Sequence, residues 1–89
     1  MRVEFTKSAQ KELLKAPAHC QIKALDWIIQ VESVGIEKVR KILGYHDEPL
    51  TGQKRGHRSI RLNKKWRLEY VETEASVLIT VVDVHPHTY

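Results

Sequence analysis

Several stretches of the sequence carry side chains able to move protons or hold phosphate. Glu48 opens a loop that also carries Lys54, Arg55, His57 and Arg58. Arg61 and Arg67 flank the turn Asn63-Lys64-Lys65, and the chain closes on His85-Pro86-His87-Thr88-Tyr89. A carboxylate, guanidinium groups and a histidine are the types that metal-free cleavage of a ribose phosphodiester requires. A base takes the proton of the 2′-hydroxyl, which attacks the adjacent phosphate. Cationic donors stabilise the crowded phosphate, and an acid protonates the departing 5′-oxygen. Arginine suits the middle role because its planar donors match phosphate oxygens. Lys54, Arg55, Arg58, Arg61, Lys64 and Lys65 would hold a nucleic-acid backbone. A tyrosine or tryptophan could stack on a base.

Each of these residues also has an ordinary explanation. Arg61 and Arg67 could be solvated, or paired with Glu69. Glu48 beside Pro49 could be a surface carboxylate, and Lys64-Lys65 suits any exposed hairpin turn. Tyr45 and Tyr89 could be packing residues, while Trp27 and Trp66 read as core. His85 and His87 have an i, i+2 spacing that suits a metal, but no third ligand is evident from the sequence. No metal and no cofactor are therefore expected. Cys20 is the single cysteine, which excludes an internal disulfide and a cysteine-based metal cluster.

The elements that must position these groups follow from the patterning. Val3 to Phe5 reads as a short strand, and Thr6 and Ser8 are plausible helix caps. Ala9, Leu13 and Ala16 recur at helical spacing up to Pro17. A second helix spans about Ala18 to Val34, with Ile22, Leu25 and Ile29 on one face, and Gly35 stops it. Ile36 to Leu43 reads as a third short helix. Tyr45 to Gly56, with Pro49, Gly52 and Gly56 among charged residues, reads as a loop.

An alternating pattern follows: Ile60 and Leu62, the turn, then Trp66, Leu68 and Tyr70. This predicts a hairpin with one face buried. If the apolar residues face the helices, Arg61, Arg67 and Glu69 lie on the open face of the sheet. The β-branched run Ser76 to Val84 reads as an interior strand. Strand, two or three helices and a three-stranded antiparallel meander make an α+β fold with helices on one face of a small sheet.

Composition bounds the function. Eighty-nine residues make one domain, since two would each lack a sufficient core. Any site is expected to be an open groove. Lys and Arg outnumber Asp and Glu by 15 to 11, a net charge of +4, which favours a polyanionic partner such as nucleic acid. No run approaches the roughly 18 apolar residues of a membrane span. The first residues lack an apolar signal region, so a cytoplasmic location and no membrane partner are expected.

The stretch from Glu48-Pro49-Leu50 through Lys54-Arg55-Gly56 and Ser59-Ile60-Arg61 to Trp66-Arg67-Leu68 resembles the central segment of HigB- and YoeB-type toxins of the RelE/ParE superfamily. The resemblance covers the second half of the chain at motif level and the whole chain in layout. It implies a RelE-like fold and a toxin of a type II toxin-antitoxin system. It also implies a messenger-RNA endoribonuclease acting in the A site of the 30S ribosome, with a cognate antitoxin protein as partner. In YoeB-like members the Glu before Pro-Leu is the general base, which corresponds to Glu48. The arginine after the hairpin turn stabilises the phosphate and corresponds to Arg67. A C-terminal histidine is the general acid and corresponds to His85.

Two departures matter. YoeB-like toxins have Tyr directly after the catalytic His. Here Pro86 follows His85, so His87 and Tyr89 are alternative carriers of that function. Many relatives have Lys where Thr51 stands, which leaves Lys54 or Arg55 for phosphate contact. A ParE-like toxin that inhibits DNA gyrase without cutting RNA would share the layout, but it needs no general acid or base. A non-catalytic RNA-binding module is a third reading.

Overall fold

The computed structural model describes residues 1–73 and 78–86. The chain begins with strand β1 (Arg2–Phe5) and helix α1 (Lys7–Lys15). Thr6 caps α1: its hydroxyl accepts the Ala9 N–H at 3.0 Å, satisfying one of the first-turn donors. Helix α2 (Ala18–Val34) ends at Gly35, whose φ of 89° is open to glycine at little cost.

The sequence places a third helix over Ile36 to Leu43, but helix α3 spans only Ile36–Val39. After Val39 the chain tightens into three-residue turns, with Lys41 N–H on Lys38 and Ile42 N–H on Val39. Ile42 then turns extended (ψ 114°), and a short 3₁₀ turn follows at Leu43–Tyr45. Ile36 and Val39 are buried and hold α3 against the core.

The expected loop from Tyr45 to Gly56 contains a two-residue strand, β2 (Glu48–Pro49), and a 3₁₀ turn at Gly52–Lys54. Strand β2 is an edge strand, where a proline's missing donor is tolerated. Strands β3 (His57–Arg61), β4 (Trp66–Glu72) and β5 (Leu78–Pro86) complete a five-stranded sheet of order β1-β5-β4-β3-β2. The meander expected from the sequence is present as β3-β4-β5, all antiparallel. Beyond it, β1 joins β5 in parallel, with Val3 opposite Ile79 and Phe5 opposite Val81. That pairing makes β5 an interior strand, as its β-branched composition suggests. Of its expected start, residues 76 and 77 lie outside the described residues. The architecture is α+β.

The core lies between the helices and one face of the sheet. Trp27 and Tyr70 are fully buried at its centre, with ring centroids 5.2 Å apart and planes tilted by 48°. Trp66 is half-buried against this cluster, and Tyr45 is buried within it.

Helix α2 turns Cys20, Ala24, Trp27 and Val31 inward. Ile22, Leu25 and Ile29, the stripe most visible in the sequence, face outward and are 62%, 56% and 53% exposed. The large Trp27 needs small neighbours on its own helix face to reach the sheet, and Cys20 and Ala24 supply them.

Candidate active site

The open face of the sheet is set by strand parity. On β4, Leu68 and Tyr70 face the core, so Arg67 and Glu69 face the other way. On β3, Ile60 faces the core, and Ser59 and Arg61 share the open face. The register places Arg61 directly opposite Arg67 and Ser59 opposite Glu69.

Strand β5 would break this arrangement if it were regular. Ile79 and Val81 point into the core, and by period-two alternation Asp83 and His85 would follow them. A β-bulge intervenes: Tyr70 pairs with Val81 but Glu69 pairs with Asp83, so Val82 is the extra residue. The parity flips, Val84 becomes the buried residue, and Asp83 and His85 turn to the open face. His85 then sits opposite Arg67.

These strands and the loop after β2 enclose an open cavity of about 350 Å³ lined by Glu48, Leu50, Lys54, Ser59, Arg61, Arg67, Glu69 and His85. Five residues singled out from the sequence, Glu48, Lys54, Arg61, Arg67 and His85, therefore share one cavity. Glu48 reaches it because β2 pairs with β3, with Glu48 opposite Ser59. Glu69 is the residue that sequence reasoning missed as a site member. Its position on the Arg67 face was visible, but its burial was not.

Arg67 is only 8% exposed, so it is not a solvated surface arginine. One guanidinium nitrogen, Nη1, donates to the carbonyls of Asn63, Lys64 and Trp66 at 3.0, 3.1 and 3.3 Å. Those carbonyls are presented by a turn that Asn63 organises, its side-chain oxygen accepting the N–H groups of Lys65 and Trp66. Among the described residues, the remaining Arg67 nitrogens make no hydrogen bond. Across the ladder, Nε of Arg61 is buried and has no hydrogen-bond partner among the described residues. Two like charges directly opposite on adjacent strands repel, and unpaired donors beside them suit a bound anion.

Glu69 does not pair with either arginine. Its carboxylate, 3% exposed as a residue, accepts from Lys54 Nζ at 3.0 Å on both oxygens and from His85 Nε2 at 2.5 Å. Burial pushes this carboxyl up, but the hydrogen bonds from Lys54 and His85, and the charges behind them, outweigh burial and hold it below the ordinary carboxylate range. Among the described residues, Glu69, Asp83 and His85 form the one grouping with metal-ligand spacing, their donor atoms lying within 4.8 Å of one another. Its central carboxylate is already taken up by Lys54 and His85.

The other expected contacts lie elsewhere. Arg58 faces the helix side of β3 and pairs with Asp47, Nε to Oδ1 at 2.6 Å. Tyr70 donates to the other Asp47 oxygen at 2.5 Å. Arg58 therefore braces the fold behind the cavity. Arg55, Lys64 and Lys65 are exposed around it, on the loop and the hairpin turn. His87 and Tyr89 lie outside the described residues. Cys20 is buried, and burial pushes its thiol up, away from reactivity.

Among solved structures, the chain is similar to a YoeB/ParE toxin from Agrobacterium tumefaciens, at 19% identity and a TM-score of 0.73 over 99% of this chain and 100% of that one. It is equally similar to a chain of the YoeB-YefM complex from Staphylococcus aureus, at 18% identity and a TM-score of 0.73, covering 99% of this chain and 98% of that one. A chain of the archaeal RelE-RelB complex from Pyrococcus horikoshii OT3 matches at 20% identity and a TM-score of 0.72 over 96% and 92%. The chain has the fold of the RelE-superfamily toxins. No family model and no curated protein sequence matches it. The RelE-like fold expected from the Glu48-to-Arg67 motif is thus present. No helix among the described residues is long and apolar enough to cross a membrane.

Proposed function

We propose that this chain is the toxin of a type II toxin-antitoxin system and acts as a metal-independent endoribonuclease on messenger RNA. The observation that carries the reading is the shared cavity: two opposed arginines with unpaired donors, flanked by a carboxylate and a histidine. The arginine pair would hold the scissile phosphate. Arg67, anchored through Nη1, keeps its other nitrogens for phosphate oxygens and needs little reorganisation in the transition state.

Glu48, exposed on the cavity rim, takes the 2′-hydroxyl proton as general base. The oxygen attacks phosphorus, and the P–O5′ bond breaks. His85 supplies the proton to the departing 5′-oxygen. The products are a 2′,3′-cyclic phosphate and a 5′-hydroxyl. Arg55, Lys64 and Lys65 are placed to track the RNA backbone outside the cavity. The YoeB and RelE resemblance adds the ribosomal A site as the place of cutting. The solved complexes with YefM and RelB support a protein antitoxin as partner, for which the outward apolar stripe of α2 is a docking surface.

The test is incubation of the purified protein with a translated messenger RNA, with and without ribosomes, alongside Arg67→Ala. Cleavage by the wild type that leaves cyclic-phosphate ends and disappears in the variant is expected. Cleavage should be bell-shaped in pH, since an acid and a base must both be in their working forms. No cleavage in either condition removes the ribonuclease reading, and gyrase supercoiling then tests the ParE-like activity.

A further inference from the structure

Glu69 is a buried carboxylate inside the cavity, and the reaction outlined above gives it no task. We propose that Glu69 is a positioning residue: it fixes the His85 ring through Nε2, so that Nδ1 is the atom that delivers the proton. The proposal rests on the ribonuclease reading for its kinetic half and on geometry alone for its structural half.

The geometry is specific. His85 Nε2 lies 2.5 Å from Glu69 Oε2, while Nδ1 lies 3.2 Å from the carbonyl of Pro86. Both partners are acceptors, so a ring carrying two protons satisfies both. The contact at Nε2 is to a buried carboxylate and is charge-assisted. The contact at Nδ1 is at the long limit for a hydrogen bond, and an incoming oxygen can replace it. On transfer, the Nδ1 proton goes to the departing 5′-oxygen with the electron pair of the broken P–O bond. The neutral ring keeps its Nε2 proton against Glu69.

Lys54 completes the device. Its ammonium is 3.0 Å from both Glu69 oxygens and holds the carboxylate in one orientation. A carboxylate this buried needs such compensation to remain charged. The charged groups around His85 are otherwise balanced. Glu69 and Arg67 face it from β4, Asp83 from its own strand, Arg61 from β3, Glu48 from β2 and Lys54 from the loop. Three cations meet three carboxylates, and of these six groups Glu69 is the one hydrogen-bonded to the ring.

The experiment joins nuclear magnetic resonance of the histidine ring with single-turnover RNA cleavage, in the wild type, Glu69→Gln, Glu69→Asp and His85→Gln. The wild type is expected to show a downfield imidazole N–H signal at Nε2 that is missing in His85→Gln. Glu69→Gln should lose that signal and cleave about 10- to 100-fold more slowly, with KM changed less than about twofold. The alkaline limb of its pH profile, which reports the general acid, should move to lower pH, and Glu69→Asp should recover part of the rate. A His85 ring protonated only on Nδ1 overturns the proposal, as does Glu69→Gln cleavage with the wild-type rate and profile. If Glu69→Gln fails to fold, the wild-type spectrum and Glu69→Asp decide. An Nε2 signal in a protein that cuts no RNA would sink the ribonuclease reading and leave the ring contact standing.

Discussion

Arg67→Lys separates what this arginine does for the fold from what it does for phosphate. In the folded chain Nη1 alone serves the turn, through three carbonyls at 3.0 to 3.3 Å. A lysine ammonium has three donors, one more than Nη1, and can take over those contacts. It then has nothing left to offer an anion, whereas the guanidinium keeps its other nitrogens. The folding free energy should therefore change by less than about 1 kcal/mol. Cleavage should fall about 10²- to 10³-fold, or about 3–4 kcal/mol at the transition state, as for loss of one preorganised oxyanion donor.

Arg67→Met is the control. It deprives the Asn63 and Lys64 carbonyls of their side-chain donor, at a cost on the order of 1–2 kcal/mol, and loses the rate as well. Urea unfolding and single-turnover cleavage of one RNA substrate read both quantities. A lysine variant that cuts within threefold of the wild type, or that unfolds as easily as the methionine variant, would refute the division of labour.

Other consequences can be checked directly. Val31→Ala should cost about 2 kcal/mol in urea unfolding and Ile29→Ala less than about 0.5, because Val31 is buried and Ile29 faces solvent. Equal costs would mean that the inward face of α2 is misassigned. Ile29→Asp should weaken the complex with the antitoxin in a pull-down or calorimetric titration while leaving RNA cleavage unchanged. Tyr70→Phe should destabilise by about 1–3 kcal/mol, since Asp47 loses a 2.5 Å donor within the core. A melting temperature equal to the wild type would count against that bond.

Acid sensitivity follows from Glu69. Its folded-state pKa lies below its unfolded value of 4.5, so its contribution is complete above that value and drains away as pH falls through the folded pKa. Melting temperatures measured from pH 7 to pH 3 should therefore fall less steeply for Glu69→Gln than for the wild type.

Much of the architecture was legible because it rests on local rules. Thr6 as a cap, Gly35 as a stop and the alternation from Ile60 to Tyr70 each name their own structure. The parity of that hairpin also placed Arg61 and Arg67 together on the open face. The α2 face was legible only in part. Ile22, Leu25 and Ile29 form the stronger apolar stripe, yet the sheet covers Cys20, Ala24, Trp27 and Val31. Which of two stripes is buried depends on how closely a helix must approach its partner, and small residues beside one large ring win where the approach is close. The pairing of β1 with β5 was not legible at all. A parallel neighbour far away in sequence leaves no mark on either strand beyond composition.

The bulge at Val82 shows why the site was harder to read than the fold. Taken as a regular strand, the run from Leu78 to His85 sends Ile79, Val81, Asp83 and His85 to one face, burying an acid and a histidine among apolar side chains. The sequence signals a conflict there, because Val84 is the apolar residue and its two neighbours are not. A strand can resolve that conflict only by inserting one residue and changing parity between Val81 and Val84. The same inserted residue brings His85 opposite Arg67 and Asp83 opposite Glu69. A phase change in hydrophobic alternation, with polar residues on both sides of it, is thus a signal that could have been read. It marks the point at which a core strand stops serving the core and begins to serve the cavity.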